Sequence, residues 1–382
     1  MKVCIVYDCL YPCTVGGAER WYRGLAQALS ARGHRVTYLT LTQWESGDPP
    51  RIPGVSIVPV GPRMALYHRG RRRVIPPLRF GWGVLRHLLR HGRDYDVVHT
   101  ASFPFFSLLA IGLTRYLHRF RVICDWHEVW SRAYWRGYLG RSGGELGWLI
   151  QRLCAGVPQQ AYTFSRLHAS RLASLGVRGT IGILSGEYAG NPPLATSARA
   201  AAPPVVLCAG RLVPEKRVPL LVEAVCAARR SIPQLGALIF GTGPELDRIR
   251  HRIAELGLDE AVRMAGFASE QELAAAMARA LCVVQPSSRE GYGMVVVEAF
   301  AAGVPAIVVA GEDNAAVELI EPGCNGFIAS GPDPECLSAA IVQCWSAGDS
   351  LRIATREWYA RNAQRLSLRH SLEEVLHAYA PA

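Results

Sequence analysis

The chain has 382 residues, half of them hydrophobic, and a formal net charge of +11. That length is more than one core usually holds, so two domains are expected, and the apolar content excludes a disordered chain. No apolar run reaches the roughly 18 residues that a membrane-crossing helix requires. The eleven cysteines are scattered and odd in number, which predicts free thiols in a reducing compartment.

Val3–Tyr7 reads as a first buried strand, and Asp8 ends its apolar run too early for a signal peptide. A loop to Gly16-Gly17 follows. A helix from Ala18 to Ser30 comes next, with Trp21, Leu25 and Leu29 on one face, then a strand over Val36–Leu41. Strand, glycine turn, helix and strand make a βαβ unit, although Gly16-Gly17 falls short of a dinucleotide fingerprint. Cys4, Cys9 and Cys13 lack the paired spacing of a metal site, and no metal is expected.

Charge is uneven along the chain. Pro49 to Arg93 contains no acid and ten arginines, a block that favours phosphate-rich partners. Within it, Leu78–Arg90 predicts an amphipathic helix in which Phe80, Trp82, Val84, Leu85, Leu88 and Leu89 alternate with arginines. The stretch Arg69–Arg93 therefore suits an anionic membrane surface, or else an ordinary surface helix packed inward. Further strands are expected at Asp96–His99, Arg121–Cys124, Tyr162–Ser165 and Ile181–Leu184, and helices at Phe105–Leu117 and Arg166–Leu175. Asp125-Trp126-His127-Glu128 falls at the carboxyl end of a strand, where open α/β sheets place ligands, and this marks His127 as a candidate site residue.

A Pro/Ala-rich stretch over 189–204 reads as a linker between a first domain, 1–188, and a second, 205–350, with a helical segment over 351–382. In the second half, strands are expected at Val205–Ala209, Ala237–Phe240, Val262–Met264, Cys282–Gln285 and Ala306–Val309. Helices are expected at Leu220–Arg230, Leu246–Leu256 and Glu270–Ala280. Such alternation implies a doubly wound parallel sheet.

Arg289-Glu290-Gly291-Tyr292-Gly293-Met294, leading to Glu298, carries the chemistry of this half. The two glycines break a strand and allow backbone amides to approach a ligand, and a helix start after Gly293 presents unpaired N–H groups to a phosphate. Two carboxylates eight residues apart on a loop and helix lie on the order of 10 Å apart, a separation that suits two sugars joined by a diphosphate. Spacing alone also fits two solvated or salt-bridged acids.

Taken together, several motifs resemble a retaining glycosyltransferase of family 4 with the GT-B fold, two Rossmann-like α/β domains facing across a cleft. They are Gly16-Gly17-Ala18-Glu19, Gly210-Arg211-Leu212 with Glu215-Lys216, Gly241-Thr242-Gly243-Pro244-Glu245, and Glu290 to Glu298 followed by Ala299, Ala301, Gly303 and Pro305. The resemblance implies that Arg211 and Lys216 neutralise the diphosphate of a nucleotide-sugar donor, helped by the amides of Gly291, Tyr292, Gly293 and Met294. It implies that Glu298 holds the ribose, Glu290 the donor sugar, Gly266-Phe267 the base and His127 the transferred sugar, while Gly16 and Gly17 border donor phosphate and acceptor. It implies no cofactor, a glycan or lipid-linked acceptor, and a cytoplasmic or peripheral membrane enzyme of surface polysaccharide or glycolipid synthesis. Ser185-Gly186-Glu187-Tyr188 departs from the Asn-Gly-Val-Asp usual in the family, and the Trp-rich segment Trp126–Trp148 is unusual. The alternative is a non-catalytic protein that uses its charge to bind a membrane surface or nucleic acid. No nucleic-acid-binding signature supports the latter.

Overall fold

A computed structural model describes residues 1–45, 47–68, 71–190 and 200–379, apart from the side chains at 67, 68 and 71. Arg69 and most of the linker expected at 189–204 lie outside the described residues. The chain divides into two compact units: Met1–Glu187 joined by the chain from Ser367 onward, and Tyr188–Leu366.

The first unit is a seven-stranded parallel sheet. Its elements are β1 (Lys2–Val6), α1 (Gly17–Ala31), β2 (Arg35–Leu41), β3 (Val55–Gly61), α2 (Ile75–His91), β4 (Val97–Ala101), α3 (Phe106–His118), β5 (Arg121–Trp126), α4 (Arg132–Ala155), β6 (Gln159–Thr163), α5 (Arg166–Ser174) and β7 (Gly179–Ile183). The strand order is β3-β2-β1-β4-β5-β6-β7, with every neighbouring pair parallel. Order reverses between β1 and β4, the switch point at which doubly wound sheets bind ligands beyond their strand carboxyl ends. Val3 to Val6 are buried on both faces, which explains why β1 reads as an unbroken apolar run.

The second unit repeats the plan with six strands. In chain order they are β8 (Val205–Ala209), α6 (Val218–Ala228), β9 (Gly236–Phe240), α7 (Leu246–Glu255), β10 (Val262–Gly266), α8 (Glu270–Arg279), β11 (Cys282–Gln285), α9 (Met294–Ala301), β12 (Ala306–Val309), β13 (Gly326–Ala329) and α10 (Pro334–Leu366). The strand order is β10-β9-β8-β11-β12-β13, again all parallel. Val206 and Cys208 enter a core on one face with Val222, Ile239, Ile249 and Ile341. Leu207 and Ala209 enter a core on the other with Met277, Val283 and Ala299. Alternate side chains of one strand thus fill opposite cores.

The helical stretch expected over 351–382 is divided. Leu351 to Leu366 end α10, which is interrupted at Gly348, whereas α11 (Leu368–His377) packs on α1 in the first unit. There Leu368 and Leu372 lie against Gly24, whose missing side chain lets the two helices approach.

In α2, Phe80, Val84 and Leu88 are buried at i, i+4 and i+8, as an inward-packed helix requires. Leu78, Trp82 and Leu89 stay exposed, Trp82 at 67%. The inward-packed reading of this helix therefore holds for its buried face, and its other face carries exposed apolar side chains. The arginine block does not all face solvent: the Arg72 guanidinium pairs with the fully buried carboxylate of Asp8 at the end of β1, and stands 4.6 Å over the Phe103 ring.

Candidate active site

In the second unit, the predicted residues gather beyond the strand carboxyl ends. Gly210-Arg211-Leu212 leaves β8 and is stitched by backbone to the turn after β9. The Gly210 N–H donates to the Phe240 carbonyl at 3.1 Å, that of Leu212 to Thr242 at 2.9 Å, and that of Glu245 back to Leu212 at 3.0 Å. A Cβ at Gly241 would stand 1.9 Å from the Gly210 carbonyl oxygen, and one at Gly243 2.3 Å from that of Leu212. The glycine turn is therefore required for these two loops to touch. Burial of Leu212 anchors the loop and leaves Arg211 outward beside it.

Lys216 ends a short 3₁₀ turn, Pro214–Lys216, which is tied to the loop after β11: the Ser288 N–H donates to the Glu215 carbonyl at 2.8 Å. The structure brings Lys216 and Glu290 together. Their side chains form an ion pair, and Gln285 Nε2 donates to the same Glu290 Oε1 at 2.8 Å. Both donors act on Oε1, which leaves the lone pairs of Oε2 for a ligand hydroxyl. Gln285 was not singled out from the sequence.

Glu290 is not in a loop, as expected, but in a two-residue strand, Arg289–Glu290, parallel to Asp313–Asn314. Buried Asn314 fixes that partner by donating from Nδ2 to the Val309 carbonyl at 2.8 Å and to that of Ser287 at 3.3 Å. Gly293 caps α9 at φ 114°, and a Cβ there would meet Ala316 at 2.9 Å. With Tyr292 buried, the first amides of α9 are held at the end of this strand, where the helix dipole favours an anion. Glu298 lies half-buried one turn further on. Tyr188 is close enough to feel it: burial chiefly, then the charges of Glu298 and Glu270, push its phenol up. Gly266 ends β10, and Phe267 beyond it is 82% exposed, an open ring at the same end of the sheet.

The first unit carries the rest. Gly16 caps α1 and Gly17 begins it, with the Glu19 carboxylate folded against Gly16. β5 runs two residues past its expected end, so Asp125 and Trp126 are strand residues and His127 is the first beyond them. The His127 ring stacks on Phe164 with centroids 4.6 Å apart and planes at 6°, and meets the Tyr22 ring edge-on at 6.1 Å. Its Nδ1 lies 3.5 Å from Glu187 Oε1, while Nε2 is buried with no hydrogen-bond partner among the described residues. Burial works hardest against the charged imidazole, but the hydrogen-bonding and charge of Glu187, with Asp125 and Glu19, outweigh it and raise the pKa.

Behind the ring lies a buried relay that sequence reasoning missed. Trp21 Nε1 donates to Asp125 Oδ2 at 2.7 Å, His99 Nε2 lies 2.8 Å from the same oxygen, and Tyr379 Oη lies 2.6 Å from His99 Nδ1. A carboxylate only accepts, so His99 carries its proton on Nε2. Burial favours the neutral acid of Asp125, but the charge and hydrogen bond of His99, with His127 and Trp21, leave its pKa lowered.

Among the described residues no cluster of metal-ligating side chains occurs, and no helix is long and apolar enough to cross a membrane. Residues 195–365 match the family model described as Glycosyl transferases group 1, and residues 15–181 match Glycosyltransferase Family 4. The chain is 32% identical over 183 residues to a GDP-mannose-dependent alpha-(1-6)-phosphatidylinositol monomannoside mannosyltransferase of Mycolicibacterium smegmatis, covering 45% of this chain and 47% of that protein. It is 29% identical over 177 residues to a D-inositol 3-phosphate glycosyltransferase of Corynebacterium urealyticum, covering 44% and 41%. The chain thus spans about half the length of these curated relatives. Its fold is similar to that of a sucrose-phosphate synthase from Thermosynechococcus elongatus, with a TM-score of 0.79 at 20% identity over 99% of this chain and 98% of the other. It is also similar to that of Anabaena HepE in complex with UDP-glucose, with a TM-score of 0.72 at 16% identity over 100% and 99%.

Proposed function

The chain belongs to the group 1 glycosyltransferases, its first half matching family 4, and from that premise we propose that it moves a sugar from a GDP- or UDP-linked donor to a glycan or lipid-linked acceptor, with retention of configuration. The observation that carries this reading is the convergence, at one end of the second sheet, of Arg211, the Lys216–Glu290 pair and the start of α9. Departure of a nucleoside diphosphate builds negative charge. Two fixed cations and a helix N-terminus lower the barrier by stabilising that charge, and no metal is required. Glu298 binds the ribose hydroxyls, Oε2 of Glu290 accepts from a hydroxyl of the donor sugar, and exposed Phe267 stacks with the base. His127 meets the transferred sugar. In the retaining step the C1–O bond to phosphate breaks, and the acceptor oxygen bonds to C1 from the same face. Its proton passes to the departing phosphate oxygen, so charge and atoms balance without a covalent enzyme intermediate.

We further propose that the acceptor is met at an anionic lipid surface. Alongside Trp82 and Leu78 of α2, Leu113 and Tyr116 of α3 and Leu146 and Leu149 of α4 are exposed, and Arg79, Arg86 and Arg90 stand among the α2 residues. Exposed rings and aliphatic chains with interspersed arginines suit a bilayer interface.

The test is thermal stabilisation by a panel of UDP-, GDP- and ADP-sugars, first with EDTA and then with magnesium. Selective stabilisation by one nucleotide in EDTA, lost in Arg211→Ala, supports the reading. No shift with any of them would favour instead a basic surface-binding protein without transferase activity.

A further inference from the structure

Glu187, one of three residues of Ser185-Gly186-Glu187-Tyr188 that depart from the Asn-Gly-Val-Asp usual in the family, sits with its side chain only 8% exposed. A carboxylate so enclosed needs a partner, and among the described residues its ion-pair partner is His127 at 3.5 Å. The loop that carries it is itself fixed, because the Gly186 N–H donates to Ser371 Oγ of α11 at 3.0 Å. The imidazole plane is set independently by Phe164 beneath it and Tyr22 against its edge. One nitrogen thus faces Glu187 at 3.5 Å, with the ring stacked on Phe164. The other, Nε2, is closed off with no partner among the described residues, an unfavourable arrangement that a ligand atom would complete.

We propose that Glu187 is a positioning residue for His127: it holds Nδ1 so that Nε2–H is the group that donates to an oxygen of the transferred sugar. This rests on the reading of His127 as a sugar-contacting residue. The charged surroundings agree with it from every packed element. Helix α1 contributes Glu19 and Tyr22, β5 contributes Asp125, and the segment after β7 contributes Glu187, while His99 of β4 lies on the far side of Asp125. Phe164, after β6, brings no charge. Three acids around one imidazole favour its charged form in spite of burial, and in that form the ring has only donors to offer. The sugar atom that the charged ring meets is an acceptor, a hydroxyl or ring oxygen.

The experiment follows the His127 ring by NMR in the full chain labelled at histidine, with the signal identified by its loss in His127→Gln. In the wild type its titration midpoint lies above the ordinary 6.5. In Glu187→Gln it moves down by about one pH unit, and the alkaline limb of kcat/KM moves with it, a roughly tenfold loss on that limb. Glu187→Asp, which keeps the charge but shortens the reach, gives a smaller displacement of both. Unmoved titration and an unmoved limb in both variants would overturn the proposal. If instead the titration moves but His127→Gln transfers sugar at the wild-type rate, the pairing stands and the role of His127 in transfer falls.

Discussion

Gly241→Ala is the sharpest probe of how the second sheet presents its cations. The new Cβ would stand 1.9 Å from the Gly210 carbonyl oxygen, whereas real Cβ atoms essentially never come within 3.0 Å, so the two loops must part by at least 1.1 Å. Neither side can yield by rotating a side chain, because both are backbone. The φ of +139° at Gly241 adds strain of about 1–3 kcal/mol for an alanine. If Arg211 binds the diphosphate as proposed, parting carries it away, and losing a charged hydrogen bond of about 1.5–3 kcal/mol weakens nucleoside diphosphate binding about 10- to 100-fold. Calorimetric titration with the nucleoside diphosphate measures this directly. Gly257→Ala is the control: it has a φ of +62° but nothing within 4 Å of its new Cβ. It loses about 1–2 kcal/mol of stability without loss of affinity. Wild-type affinity in Gly241→Ala, or equal loss in both variants, would refute the reasoning.

Glu290→Ala abolishes transfer, by more than 100-fold in kcat, yet binds nucleoside diphosphate. Glu298→Ala weakens that binding about tenfold, and steady-state kinetics beside calorimetry separate the two effects. Tyr379→Phe leaves His99 Nδ1 buried without its partner and costs the first unit about 1–3 kcal/mol, read as faster amide exchange in β4 and α11. Trp82→Ser with Leu78→Ser reduces co-flotation with phosphatidylglycerol vesicles at least tenfold and leaves the donor-induced thermal shift unchanged.

How far the sequence could be read depended on whether a signal was local. β8, β11 and β12 match their expected bounds because strands buried on both faces are short apolar runs between glycine or proline turns. The Glu290–Met294 segment stood out through its two glycines, whereas Arg211 and Lys216 stood out only through the resemblance of their motif to the family's. β3 was not predicted: Pro59 interrupts it and none of its residues is buried. Pairings over long distances left no trace. Lys216 and Glu290 are 74 positions apart, and His99 and Tyr379 are 280 apart. Glu187 was visible only as a departure from a pattern. Its pairing with His127 needed the fold, which brings the segment after β7 beside the end of β5.

The return of the chain to its first domain has a consequence for its synthesis. About 190 residues separate Glu187 from Tyr379, and at roughly 5–20 residues per second a ribosome takes about 10–40 s to add them. Throughout that interval, α1 lacks the leucines that cover Gly24, and His99 lacks its phenol. The second domain is one uninterrupted stretch and is complete before the first can be. The half that is made first must therefore finish last, and a fragment ending at Glu187 lacks both the helix that packs on α1 and the phenol that meets His99.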